Sequence, residues 1–151
     1  MTVTMTEAET LASLLTKTDL AALDHLERSA VIPVVAGLQA QGDLIVVPLP
    51  MIADSVRVRR DAGWREVPAT GVELLRSAAG GNPHTLVAEP DTCWWTAGVS
   101  DSVGLALGVF ETSGVAYLMH PEHGASGCAP GSYAVRRQRE RDGGRMRVVA
   151  D

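Results

Sequence analysis

Val103-Gly104-Leu105-Ala106-Leu107-Gly108-Val109-Phe110 and, a few residues on, Val115-Ala116-Tyr117-Leu118-Met119-His120 are the stretches on which the fold reading turns. In the first, Val103, Leu105, Leu107 and Val109 fall on one face of an extended chain, and Gly104, Ala106 and Gly108 fall on the other. That period of two marks a strand. The small residues leave room for a bulky neighbour, and the Trp94-Trp95 pair is near enough to supply it. Between the two runs, Glu111-Thr112-Ser113-Gly114 has the length and composition of a hairpin loop. The spacing therefore predicts that 103–110 pairs antiparallel with 115–120.

Working outward, further short strands are expected at 44–49, 56–59, 72–76, 84–89 and 93–96, separated by Gly, Pro, Asn and Asp. This punctuation is that of a sandwich or small barrel of antiparallel strands. A second hairpin is expected to join 132–142 to 145–151 around Gly143-Gly144. Its register sets Asp142 opposite Arg145, Glu140 opposite Arg147 and Arg136 opposite Asp151, opposite charges that stabilise by about 0.2–1 kcal/mol each.

Ahead of these strands the pattern is helical. Thr4 and Glu7 have capping-box spacing, and Leu11, Leu14, Leu15, Thr18, Ala22 and Leu26 form one apolar stripe. A further short helix is expected from Pro33 to Gln41, closed by Gly42. The fold class is thus mainly β, α+β overall, with an N-terminal helical segment (1–41) packed on the β-rich domain (42–151) or on a partner.

Composition agrees with a single globular domain: 151 residues, 46% hydrophobic and 21% charged. No apolar run approaches the ~20 residues of a membrane span. Glu7 and Glu9 ahead of the leucines do not suit a secretory signal, so a cytoplasmic location is expected. Cys93 and Cys128 make no disulfide framework and read as free, partly buried thiols. The net charge of −5 argues against a general nucleic-acid binder. Residues 136–151, however, hold six arginines against three acids, a net of +3, which leaves −8 on the rest of the chain.

Three groups of residues carry chemistry. His120-Pro121-Glu122-His123 ends a hydrophobic strand, and the proline favours a tight turn that brings the two imidazoles together. With His84, they form a candidate site for a divalent metal such as zinc, with Glu89 or Cys128 as other available ligands and Glu122 as candidate general base. Trp94 and Trp95 are adjacent in a strand and must face opposite ways, so one is core and the other a candidate contact surface. Arg137, Arg139 and Arg141 are the arginines left outside the cross-strand pairs, and they offer a face for an anion or nucleic acid. There is no P-loop, no Gly-x-Ser-x-Gly elbow, no His-Glu-x-x-His and no dinucleotide fingerprint.

The function expected on these grounds is a non-enzymatic binding or self-assembly module, homo-oligomeric, that contacts itself or another protein and needs no cofactor. The alternatives are a metal-dependent enzyme or metal-binding protein built on His84, His120 and His123, and a nucleic-acid-binding regulator acting through the arginine-rich hairpin.

Overall fold

The computed structural model describes residues 9–18, 20, 31–75, 83–142 and 145–148, with backbone only for 139–142 and 145–148. Helix α1 (Leu11–Thr18) is followed by β1 (Val34–Val35), β2 (Gln39–Gln41), β3 (Leu44–Pro48) and a 3-10 turn (Leu49–Ile52). Next come β4 (Val56–Val58), β5 (Arg65–Glu66), β6 (Val72–Leu75), β7 (His84–Ala88), β8 (Cys93–Thr96) and β9 (Val99–Asp101). The chain continues with β10 (Ala106–Thr112), β11 (Ala116–His120), β12 (Gly124–Cys128), β13 (Gly131–Arg137), β14 (Arg139–Asp142) and β15 (Arg145–Val148).

The fold is mainly β with an N-terminal helix, as its alternating strands require, and it is a sandwich. One sheet has the order β1-β12-β11-β7-β6 and the other β2-β3-β13-β10-β8-β5. All their ladders are antiparallel except that between β1 and β12. The main core lies between the sheets: Leu44, Val46, Trp95, Phe110, Tyr133 and Val135 from one meet Val72, Leu86, Ala116 and Leu118 from the other.

Each sheet is also covered on its outer side. Leu11 and Leu14 of α1 pack with Ile32 on Val87, Tyr117 and Met119 of the five-stranded sheet. The described part of the leucine stripe therefore docks on the chain's own sheet. The helix begins with a reciprocal cap in which Thr10 Oγ1 accepts the Ser13 N–H at 3.1 Å and Ser13 Oγ accepts the Thr10 N–H at 2.9 Å. The expected Thr4–Glu7 cap, Ala22 and Leu26 lie outside the described residues. On the six-stranded sheet, the β4–β9 ribbon and the 3-10 turn bring Val56, Val58, Val99 and Ile52 onto Val109 and Ala134.

Three expectations are corrected. Residues 34–35 and 39–41 are strands and not part of a helix from Pro33 to Gln41. Gln41 pairs with Leu44 across a two-residue turn, Gly42-Asp43, and Gly42 has a left-handed φ of 55°. Glycine at the first of two turn positions suits a hairpin as well as it suits a helix end.

The strands at 103–110 and 115–120 do not pair with each other. The observed β10 pairs with β13 and β8, whereas β11 pairs with β12 and β7 in the opposite sheet. Residues 113–115 are thus a crossing between layers. Both strands carry apolar residues on two faces, so local pattern does not say which neighbours they take. A bulge between Ala106 and Gly108 also moves Leu107 to the core side with Phe110, away from Val109.

The terminal hairpin keeps its expected register: Asp142 opposite Arg145 and Glu140 opposite Arg147. The strand expected over 132–142, however, divides into β13 and β14 at Gln138, whose amide donates to the carbonyls of Gly42 and Leu44 at 2.7 and 3.1 Å. Asp151 lies outside the described residues. Arg136 instead makes a two-armed ion pair with Asp101, at 3.0 Å from Nε and 2.8 Å from Nη2.

Candidate functional site

Alternation along β7 and β11 turns His84 and His120 inward, in line with Leu86 and Leu118 of the main core. At this end of the sandwich the space between the sheets is polar. The β2–β3 turn closes it with Gln41 and Asp43, and all four side chains are buried, His84 and Asp43 to 2% and 3% exposure. His84 Nδ1 lies 3.0 Å from Gln41 Oε1, and its Nε2 lies 2.7 Å from Asp43 Oδ1.

The Gln41 amide is oriented by its own contacts. Its Nε2 donates to the Leu118 carbonyl at 2.9 Å and reaches the Gly124 carbonyl and Ser126 Oγ at 3.4 and 3.3 Å. The oxygen therefore faces His84, and Nδ1 must donate to it. With the Asp43 carboxyl group against its other nitrogen, the buried His84 ring is held from both sides, by Gln41 and by Asp43.

His120 is held differently. Its Nδ1 accepts the backbone N–H groups of Glu122 at 3.0 Å and His123 at 3.3 Å. The ring thus caps its own turn, Pro121-Glu122-His123, with Nδ1 as the acceptor. Gly124, at φ 79°, takes the left-handed position that closes this three-residue loop.

The structure brings His84, His120 and His123 together. Ring centroids are 4.5 Å apart for His84–His120 and for His120–His123, and 6.3 Å for His84–His123. Proximity does not make them a ligand set. Both ring nitrogens of His84 and the Nδ1 of His120 are already engaged. Among the described residues no three of His, Cys, Asp and Glu stand in an arrangement that could hold a metal ion. Glu122, the expected general base, is exposed on the turn, and Glu89 is exposed and ion-paired with Lys17 at 3.3 Å. Cys128 is fully buried, and burial pushes its thiol up to about 12.

The tryptophans divide as their adjacency requires. Trp95 is in the core at 7% exposure, over Gly108, where an added Cβ would come within 2.5 Å of Trp95 Cζ2. Trp94 points outward at 42% exposure. Of the arginines, Arg137 is exposed at the end of β13, while Arg139 and Arg141 belong to β14.

The chain belongs to the DUF8820 family. That family, a domain of unknown function, matches residues 40–138. The match runs from β2 to Gln138, and so includes Gln41, Asp43, the three imidazoles, both adjacent tryptophans and the Asp101–Arg136 pair, but not α1 or the β14–β15 ribbon. No curated protein and no solved structure matches the chain. Among the described residues, no helix is long and apolar enough to cross a membrane.

Reading the sequence alone missed Gln41 and Asp43, which hold His84. A polar-Gly-Asp triplet directly before the aliphatic strand 44–48 is itself a hairpin signal and points to both. Asp101 was equally hidden, because its partner Arg136 lies 35 positions away.

Proposed function

We propose that this protein is a non-enzymatic binding module that assembles with itself through the outer face of its six-stranded sheet. The observation that carries this reading is Trp94. A tryptophan costs free energy when its ring meets water, and it is among the residues most enriched at the energetic centres of protein interfaces. Here a 42% exposed indole stands on a strand next to the edge of the six-stranded sheet, beside a neighbour that is buried. Trp64, 38% exposed just before β5, the strand paired with β8, adds apolar surface to the reading.

A closed two-fold dimer is the simplest form of such an assembly. Sedimentation equilibrium of the full chain tests it. Reversible association is expected in the micromolar range, weakened at least about tenfold by Trp94→Ala, the effect of losing an interface hot spot. A wild-type chain that stays monomeric at several hundred micromolar would overturn the proposal.

A further inference from the structure

The residues beside Trp94 carry charge of one sign. Glu66 of β5 is opposite Trp94 of β8, and Trp94 is opposite Glu111 of β10. Directly opposed residues share a face, and adjacent strands lie about 4.8 Å apart. The indole therefore has a carboxylate-bearing residue as its immediate neighbour on each side. Glu111 is exposed and Glu66 half-buried, and among the described residues neither makes an ion pair. Glu66 accepts the Asp91 N–H at 3.2 Å. The β4–β9 ribbon and the 3-10 turn cover the sheet around Val109 and Ala134, and Trp94 lies outside that covered cluster.

An aromatic face between two carboxylates suits a guanidinium group. The ring's negative face attracts the flat cation, and the acids accept its N–H groups. The complementary chemistry is at the far end of the same chain. Residues 136–151 carry six arginines and a net +3 against −8 elsewhere. Arg136 is engaged with Asp101, but Arg137 is exposed. The remaining four arginines lie on β14 and β15, which among the described residues form a two-stranded ribbon separate from both sheets. A ribbon of two short strands is marginal in water without something to pack on.

Arg137, the last residue of β13 before that ribbon, lies well away from its own cradle along the strand. Ser132, opposite Glu111, continues the Trp94 row. Arg137 lies five residues further along β13, about 17 Å away at ~3.4 Å per residue. We infer that the Glu66–Trp94–Glu111 row is a guanidinium cradle for the arginine ribbon of a second copy, so that two copies exchange ribbons about a two-fold axis. This rests on the self-assembly proposed above and names the partner surface.

The experiment is a charge swap on the full chain, read by sedimentation equilibrium with circular dichroism as a check of folding. One variant carries Glu66→Lys and Glu111→Lys; the other carries Arg137→Glu, Arg139→Glu and Arg141→Glu. Each alone is expected to lose at least about tenfold in association, as is wild type on raising the salt severalfold. Mixing the two variants is expected to restore a mixed dimer, because both exchanged contacts are again of opposite charge. If Trp94→Ala dissociates the assembly while the arginine variant associates like wild type, the ribbon is not the occupant and the inference fails, although the reading of Trp94 stands. Loss of association in both charge variants with no recovery on mixing would also overturn it. A monomeric wild type would remove both proposals.

Discussion

His84 Nε2 stands 2.7 Å from Asp43 Oδ1 between the two sheets, with both side chains almost fully withdrawn from solvent. The pair joins strand β7 of one sheet to the β2–β3 turn of the other. Gln41 extends the link by reaching from His84 to the carbonyls of Leu118 and Gly124. One end of the sandwich is therefore closed by directional polar contacts, whereas its middle is closed by apolar packing.

Removing one partner of such a pair leaves the other buried without compensation. Asp43→Ala is expected to destabilise the fold by about 3–5 kcal/mol. Urea denaturation followed by tryptophan fluorescence checks this, and a change below about 1 kcal/mol would show that the contact does not hold the sheets together.

The acid limb of the stability curve should depend on Asp101. Burial raises its carboxyl, but the Val103 N–H, the Arg136 guanidinium and the N–H groups of Leu105 and Ala106 together outweigh burial and hold it below the usual 3.8. A carboxylate lowered in the folded state contributes stability that is complete above its unfolded value and is lost as pH falls through its folded value. The contribution is thus expected to be intact at pH 7 and to decline below about pH 4. Asp101→Asn should be less stable than wild type at pH 7 and show a shallower loss between about pH 4 and 2.5. Denaturation midpoints across that range decide it, and an unaltered slope would clear Asp101 of the effect.

Gly108→Ala should be costly although both residues are small. The new methyl group would meet the Thr96 carbonyl oxygen and lie 2.5 Å from Trp95 Cζ2, and neither backbone nor a packed indole yields easily. Overpacking of this kind costs about 1–3 kcal/mol. A lower melting temperature together with a shifted tryptophan emission is expected; unchanged emission would mean that Trp95 does not lie over this glycine.

Neither thiol should react in the native state. Burial raises Cys93 to about 11 and Cys128 to about 12, so almost no thiolate exists near neutral pH. A disulfide reagent at pH 8 is expected to label both only after unfolding, at the rate of the unfolding step. Immediate labelling of the native chain would place one of them at the surface.

Much of the local structure was legible in the residues. The terminal ribbon took the register that matches Glu140 with Arg147 and Asp142 with Arg145, the alignment that opposite charges favour and that the Gly143-Gly144 pair in the sequence predicts. Trp94 and Trp95 had to face opposite ways because a strand repeats every two residues. The turn after His120 and its gathering of two imidazoles followed from the proline. The void left by Gly108 pointed to a bulky neighbour, and Trp95 fills it.

What the chain alone determined was therefore whatever acts within a few residues: strand period, turn chemistry, and the sign of charge across a short ribbon. Only the tertiary structure decided that β10 and β11 part into different sheets, since two apolar faces satisfy either neighbour equally. The same is true of the meetings of His84 with Asp43 and of Arg136 with Asp101, residues 41 and 35 positions apart. Contacts at such separation leave no periodic trace. They exist because packing two sheets face to face brings those positions together.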